Sequence, residues 1–435
     1  MDRLFTLPEV SRPAKLYLIG LIAFVAIVSC LVVLIYNDYF LLGDPVRPNN
    51  DDVKYIQSSR LLLNEGVLAY NTKDKPSAFI MPGLPLMLSG LMAVFGQDQG
   101  GVVAYRLFQC LQQALCIYLI FWIGRRIFTT RVALIACTVS ALYPPDYFSS
   151  GVILSETTFR TLLLLLVCCT ILAQERQRSA LYILIGVLTA AAAYLKPHAS
   201  LYPAVLPVLW LRMKLPWRTM LKYTLLMGAA YILLLTPWWI RNWVTFHEFI
   251  VFTNSGGSPF LLGTRIRWQL PPAGFFEAYP QYDPKTVFEG ADSSAVRKGL
   301  DILKYGFTHE PMKYLYWYTL GRWVELYFHP FYSRPFWPIS RPAMNLAQVV
   351  LMYVNMVGIL WALLKHRFNL NRVLPLLLAL AYFTVIYVPF VAFNRYGYPN
   401  MVLLILFGSY FIGDLASRFL PRSLNRLERK EASAS

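Results

Sequence analysis

Long runs of apolar residues recur along the chain, separated by short polar and basic stretches. Residues 16–36, 102–124, 151–173, 219–240 and 343–364 each supply the roughly 20 mostly apolar positions that cross a bilayer core. Further runs at 131–146, 180–195, 198–211, 373–393 and 399–417 bring the expected number of membrane-spanning helices to about ten. The pattern predicts an all-α integral membrane bundle with two long external loops, at 37–101 and 241–341. Two apolar stretches inside those loops read as interfacial helices instead of spans. One is 79–95, broken by Pro82, Gly83 and Pro85; the other is 311–328, rich in the Tyr and Trp that prefer headgroup depth.

Composition agrees with lipid as the solvent. Apolar residues make up 57% of the 435 positions and charged residues 14%, against roughly 25% charged in soluble domains. A soluble fold is excluded. The first run, 16–36, is too long for a secretory signal and continues in apolar residues past Ser29 and Cys30, so it reads as a retained span. All six cysteines fall within predicted spans, match no metal-ligand spacing and carry no compartment signal.

The formal net charge of +17 has its explanation in orientation. Half of the Lys and Arg sit in six short segments: the N-terminus to Lys15, then 125–131, 174–179, 212–222, 365–372 and 418–430. Short basic loops stay cytoplasmic, so both termini are expected inside and the two long loops outside. No basic patch with interleaved aromatics suggests nucleic acid. Three regions follow: 1–240, a membrane module containing the first external loop; 241–341, an ordered cap; and 342–435, the last spans with a basic tail, exposed from 426 to 435.

Charges at membrane depth cost roughly 2.5–3.5 kcal/mol each, so those at external span ends need a reason. They are Asp51 and Asp52 in the first loop, Asp146 and Glu156 around the third and fourth spans, Lys196 and His198 after the fifth, Arg241 after the seventh, and Arg395 between the ninth and tenth. The topology was drawn from the basic loops, yet it places all eight on one side. Carboxylates and cations meeting there suit a reaction on a phosphate-linked lipid, where a base deprotonates a hydroxyl and cations hold the leaving phosphate. Each has a plainer reading too. Asp51 could cap a helix starting at Asp52, Glu156 could pair with Arg160 one turn on, and Arg241 and Arg395 could snorkel to headgroups. Lys196 and His198 could be helix-end residues beside Pro197, and Asp146 a turn residue after Pro144 and Pro145.

The run Asp51-Asp52-Val53-Lys54-Tyr55, the segment from Arg60 to Gly66 and Met81-Pro82-Gly83-Leu84-Pro85-Leu86 together resemble the first external loop of the GT-C superfamily. The similarity is to its bacterial branch, related to protein O-mannosyltransferases and lipid A aminoarabinose transferases. Leu154-Ser155-Glu156-Thr157, Leu195-Lys196-Pro197, Thr236-Pro237-Trp238-Trp239-Ile240-Arg241-Asn242, Asn254-Ser255-Gly256-Gly257 with Gly263, and Arg395-Tyr396-Gly397-Tyr398-Pro399 follow in family order. The resemblance implies an inverting glycosyltransferase that takes sugar from a polyprenyl-phosphate donor at the outer face of the membrane, for a lipid, glycan or protein acceptor. Asp51 would be the base, with Asp52 beside it and Glu156 or Asp146 as the second acidic position. Arg395, Arg241 and Lys196 would hold the donor phosphate, and His198, Lys75 and Arg60 are further site candidates. The acidic residues would suit Mg or Mn, but no ligand spacing assigns a metal. Two other classes compete. A transporter or flippase of a lipid-linked sugar would show related halves, and an acyl- or phosphotransferase would show a His- or Ser-centred signature; neither pattern is found.

Overall fold

The computed structural model of the chain describes residues 9–44, 46–47, 49–72, 74–336, 338–366 and 370–419; the tail expected at 426–435, most of the basic segment 418–430 and the first basic residue, Arg3, lie outside them. Every regular element among the described residues is helical. The first half comprises α1 Arg12–Tyr36, α2 Asp51–Glu65, α3 Gly83–Phe95, α4 Gly100–Ile127, α5 Thr130–Ala141, α6 Pro144–Gly151, α7 Glu156–Arg176, α8 Ser179–Ala193, α9 Leu206–Arg212 and α10 Trp217–Phe246. A long interhelical segment follows with α11 Gly257–Gly263, α12 Phe275–Ala278, α13 Ser293–His309, α14 Pro311–Tyr316 and α15 Arg322–Tyr327. The chain then returns to the bundle as α16 Arg341–Lys365, α17 Leu374–Val385, α18 Asn394–Gly397 and α19 Met401–Phe419. This is a multi-pass membrane protein.

Among the described residues six helical runs, those of α1, α4, α7, α10, α16 and α18–α19, are long and apolar enough to cross a bilayer. The expected spans between them come out differently. The run 131–146 is two helices, because Pro144 and Pro145 cannot continue α5 but suit the first turn of α6. The run 151–173 becomes helical only at Glu156. The run 198–211 is a 3-10 stretch, Pro197–Val205, followed by the short α9, since Pro203 and Pro207 remove backbone donors. The run 373–393 stops being α-helical after Val385. Irregular backbone at membrane depth is tolerated where protein covers it. Of the two stretches read as interfacial, 79–95 contains α3, and 311–328 forms α14 and α15 joined through a π turn, Trp317–Gly321.

Burial sorts the long helices into two layers. The apolar window of α7 is 83% buried and that of α4 67%, whereas those of α10 and α1 are 17% and 22% buried. The first pair therefore forms the centre and the second pair faces lipid. The main core joins α4, α5, α7, α8, α17 and α19 through residues such as Ile120, Ala133, Leu163, Ile185, Phe383 and Leu403. All six cysteines lie on α1, α4, α5 and α7 as free thiols.

The basic loops meet at one end of the bundle. Arg126 pairs with Glu175, Arg372 donates to the carbonyl of Phe128 at 2.8 Å, and Arg212 donates to the Asn371 side chain at 2.8 Å. The segment 247–340 has its own small core of Leu261, Phe275, Val287, Ala295 and Ile302. Two of its several ties to the rest lie close to the elements that carry the site. Asn254 N–H and the Ser255 hydroxyl donate to the carbonyls of Ala78 and Phe79, at 3.0 and 2.6 Å. Pro259 accepts from Val391 N–H at 2.8 Å, and buried Arg322 joins Gly263 to Val388.

Candidate active site

Three stretches far apart in sequence converge at the opposite end: the start of α2, the loop at 68–79, and the turn containing α18. Asn50 opens α2, its side chain accepting the Asp51 N–H at 2.7 Å. Asp51 is thus the first residue of the helix and not its cap, and its side chain is free for other partners. One oxygen accepts the Tyr70 hydroxyl at 2.7 Å and the other the Arg395 guanidinium at 2.7 Å. The pair is half-buried, Asp51 36% exposed and Arg395 24%, so a substrate can reach it. Burial pushes the Asp51 carboxyl up, but Arg395, the Tyr70 hydroxyl and Lys54 outweigh it and hold the group below the ordinary carboxylate range.

Gly397 explains how the Arg395 turn packs so closely. A Cβ there would lie 2.0 Å from the backbone oxygen of Leu326 on α15, so no larger residue fits without displacing the turn. The Met81-Pro82-Gly83 corner has the same logic. Gly83 N–H donates to the Tyr194 carbonyl at 2.9 Å, and a Cβ would sit 2.5 Å from that oxygen.

A second ion pair stands beside the first. Lys196 meets Glu156 at 2.9 Å, both nearly fully buried. Tyr396 lies between the two cations, its ring 5.0 Å from the Lys196 ammonium and 5.1 Å from the Arg395 guanidinium. Tyr387 stacks on Tyr396 at 5.3 Å and is hydrogen bonded to His198 at 2.7 Å. Asp51, Glu156, Lys196 and Arg395 are therefore one cluster, with His198 in the layer behind.

The other candidates lie apart from it. Asp52 is fully buried and accepts the backbone N–H groups of Leu42, Gly43 and Val53. Burial raises its carboxyl, partly offset by those donors. It anchors the strap before α2, and Asp52→Ala should cost about 2–3 kcal/mol by orphaning buried donors. A melting curve reads this; an unchanged midpoint would contradict the structural role. Asp146 pairs with Arg160, which also donates to the Tyr398 hydroxyl at 2.9 Å. The plainer reading of Glu156, an i,i+4 pair with Arg160, does not hold, because tertiary contacts send Glu156 to Lys196 and Arg160 to Asp146. Arg241 packs on Trp238 and Phe246 and donates to Asn242 at 2.9 Å. Arg60 holds the carbonyls of Gln97 and Asp98, and Lys75 is exposed in a turn where its carbonyl accepts the Thr72 hydroxyl. Nothing in the sequence marks Tyr70 or Tyr387 among 28 tyrosines, and Tyr396 stands out only as the neighbour of Arg395 in its motif.

The described residues form no ready-made cage for a divalent cation. Asp51 and Asp52 spend their oxygens on a cation, a hydroxyl and backbone N–H groups, whereas Glu156 gives one oxygen to Lys196 and its other oxygen is buried without a hydrogen-bond partner among the described residues. Among the described residues no three His, Cys, Asp or Glu side chains converge.

The helical arrangement has solved counterparts. The chain superimposes on the archaeal oligosaccharyltransferase AglB from Archaeoglobus fulgidus, in complex with an inhibitory peptide and a dolichol-phosphate, with a TM-score of 0.57 and 15% identity over 96% of this chain and 52% of that one. The chain has the GT-C fold. It spans about half the length of that oligosaccharyltransferase. The apo form of the same enzyme gives a TM-score of 0.55 at 14% identity, covering 96% of this chain and 52% of that one. ArnT from Cupriavidus metallidurans in the apo state gives 0.41 at 18% identity, covering 91% of this chain and 78% of that one. Residues 74–240 match the family described as dolichyl-phosphate-mannose-protein mannosyltransferase. No curated protein sequence matches the chain.

Proposed function

We propose that this chain is an inverting glycosyltransferase that moves a sugar from a polyprenyl-phosphate donor to a hydroxyl-bearing lipid, glycan or protein of the cell envelope, at the non-cytoplasmic face. The observation that carries the reading is the half-buried Asp51–Arg395 pair beside Lys196 and Glu156. It puts one accessible carboxylate next to two cations at the end of the bundle away from the basic loops. The match of residues 74–240 to a dolichyl-phosphate-mannose-dependent family and the dolichol-phosphate in the AglB complex support a lipid-phosphate donor.

In this reading the acceptor hydroxyl gives its proton to Asp51 as its oxygen attacks the anomeric carbon. The bond from that carbon to the phosphate oxygen breaks on the opposite face, inverting the centre. The polyprenyl phosphate leaves with a second negative charge, which Arg395 and Lys196 stabilise in a site with little water. Glu156 keeps the Lys196 ammonium in place.

The test is transfer of radiolabelled sugar from a synthetic polyprenyl-phosphate donor to extracted envelope material by the purified protein. A covalent product is expected. Movement of the donor across vesicles without any product would replace the reading with a flippase.

Sidedness has its own test. Cysteines introduced at exposed Asp74 and Ser294 should react with a membrane-impermeant thiol reagent in intact cells, and one at Arg178 should not. Labelling at Arg178 would put the cluster on the cytoplasmic side.

A further inference from the structure

Behind α2, on the helix face opposite Asp51, lies a cavity of about 400 Å³ lined by none of the residues of the Asp51–Arg395 cluster. That volume is in the range of small-molecule sites. Its walls carry two carboxylates and two guanidinium groups: Asp38, Asp98, Arg60 and Arg106. Arg106 is fully buried at the upper end of α4. It bonds Asn37 and the Gly151 carbonyl and meets Asp38 at 3.4 Å. Its Nη2 is buried with no hydrogen-bond partner among the described residues. Asp38 and Asp98 are exposed.

The position is as informative as the lining. Asn37 ends α1 and Val103 lies in the first turn of α4, so the cavity opens where two spans emerge from the bilayer. Below it the outer faces of those helices are apolar and exposed: Leu31, Leu34 and Ile35 on α1, and Phe108 and Leu111 on α4. A ligand lying in this place has a polar head above and hydrocarbon below. The lining charges are balanced, which disfavours an anion and suits a head with one charge of each sign; guanidinium groups favour phosphate oxygens and carboxylates favour an ammonium.

We propose that this cavity holds the head of a zwitterionic phospholipid of the phosphoethanolamine type, its phosphate toward Arg60 and Arg106, its ammonium toward Asp38 and Asp98, and its chains along α1 and α4. The site is separate from Asp51, and the proposal does not rest on the glycosyltransferase reading.

Native mass spectrometry of the full-length protein in detergent tests it. The probes are phosphatidylethanolamine, phosphatidylglycerol with the same chains, and soluble phosphoethanolamine. One phosphatidylethanolamine should be retained at least tenfold better than phosphatidylglycerol, and phosphoethanolamine should not be retained at the same concentration. Asp38→Asn with Asp98→Asn should abolish the preference, and Val103→Trp, which fills the cavity, should abolish retention. Asp51→Asn should leave it unchanged. If Val103→Trp does not fold, Gln57→Trp on the exposed side of α2 decides by the same readout. Equal retention of the two lipids, retention of the free head as tight as that of the lipid, or a preference unchanged in a folded cavity-filling variant would overturn the proposal.

Discussion

Asp51→Asn is expected to lower sugar transfer about 100-fold or more at neutral pH, the usual loss when a positioned base is removed. The substitution is clean because Asn50, and not Asp51, caps α2. An amide at position 51 keeps the size of the side chain and can still accept from Tyr70, so expression and melting temperature should hold. Activity within a few-fold of the parent would remove Asp51 as the base. The same carboxylate should govern the acid limb of the pH–rate profile. Its folded value lies below the ordinary range, chiefly through Arg395 once burial is overcome, so Asp51 stays ionised above its unfolded value. The base, and the stability of its ion pair, should be lost only as pH falls through the lowered folded value. An acid limb well above the ordinary carboxylate range would assign it to another group.

Arg395→Ala should lose about 10²–10³ in kcat or more, since removing one preorganised donor already costs that much and the substitution also strips Asp51 of the cation that keeps it ionised. Arg395→Lys keeps the charge but loses the planar fork that can reach a phosphate oxygen and Asp51 together. It should retain part of the activity. Donor affinity should fall in the order parent, Lys, Ala, measured by titrating a polyprenyl-phosphate donor against each purified variant. If Arg395 only snorkelled to headgroups, Lys would serve as well as Arg. Equal donor affinity in all three would place the phosphate elsewhere, with Lys196 the next residue to vary.

Much of the architecture can be read from composition and periodicity, and the reasons for the exceptions are local. Spans such as α1, α7, α10 and α16 stand out because an uninterrupted apolar run of about 20 residues has few other uses. The segments 131–146, 198–211 and 373–393 read as ordinary spans because hydropathy does not register that covering protein allows a helix to stop early at Pro144, Pro203 or after Val385. At the site, residue types and their gathering at one end of the bundle were legible for Asp51, Glu156, Lys196 and Arg395. Their pairing was not. Helical spacing offered Arg160 to Glu156, and the acidic doublet Asp51-Asp52 gave no sign that one carboxylate would face the cluster while the other disappeared into backbone N–H groups. That difference depends on where the strap at 42–43 runs, which is a property of the tertiary fold. The cap at Asn50 was hidden for a related reason, since four successive Asn and Asp residues are each good caps.

The Asp51–Arg395 contact joins residues 344 positions apart. At a synthesis rate of about 5–20 residues per second the carboxylate waits roughly 17–70 s for its cation. During that interval α2 through α17 emerge from the ribosome in turn while the carboxylate has no Arg395 to meet. The pair therefore forms only once α18 has been made, and a chain terminated before α18 leaves Asp51 without its cation.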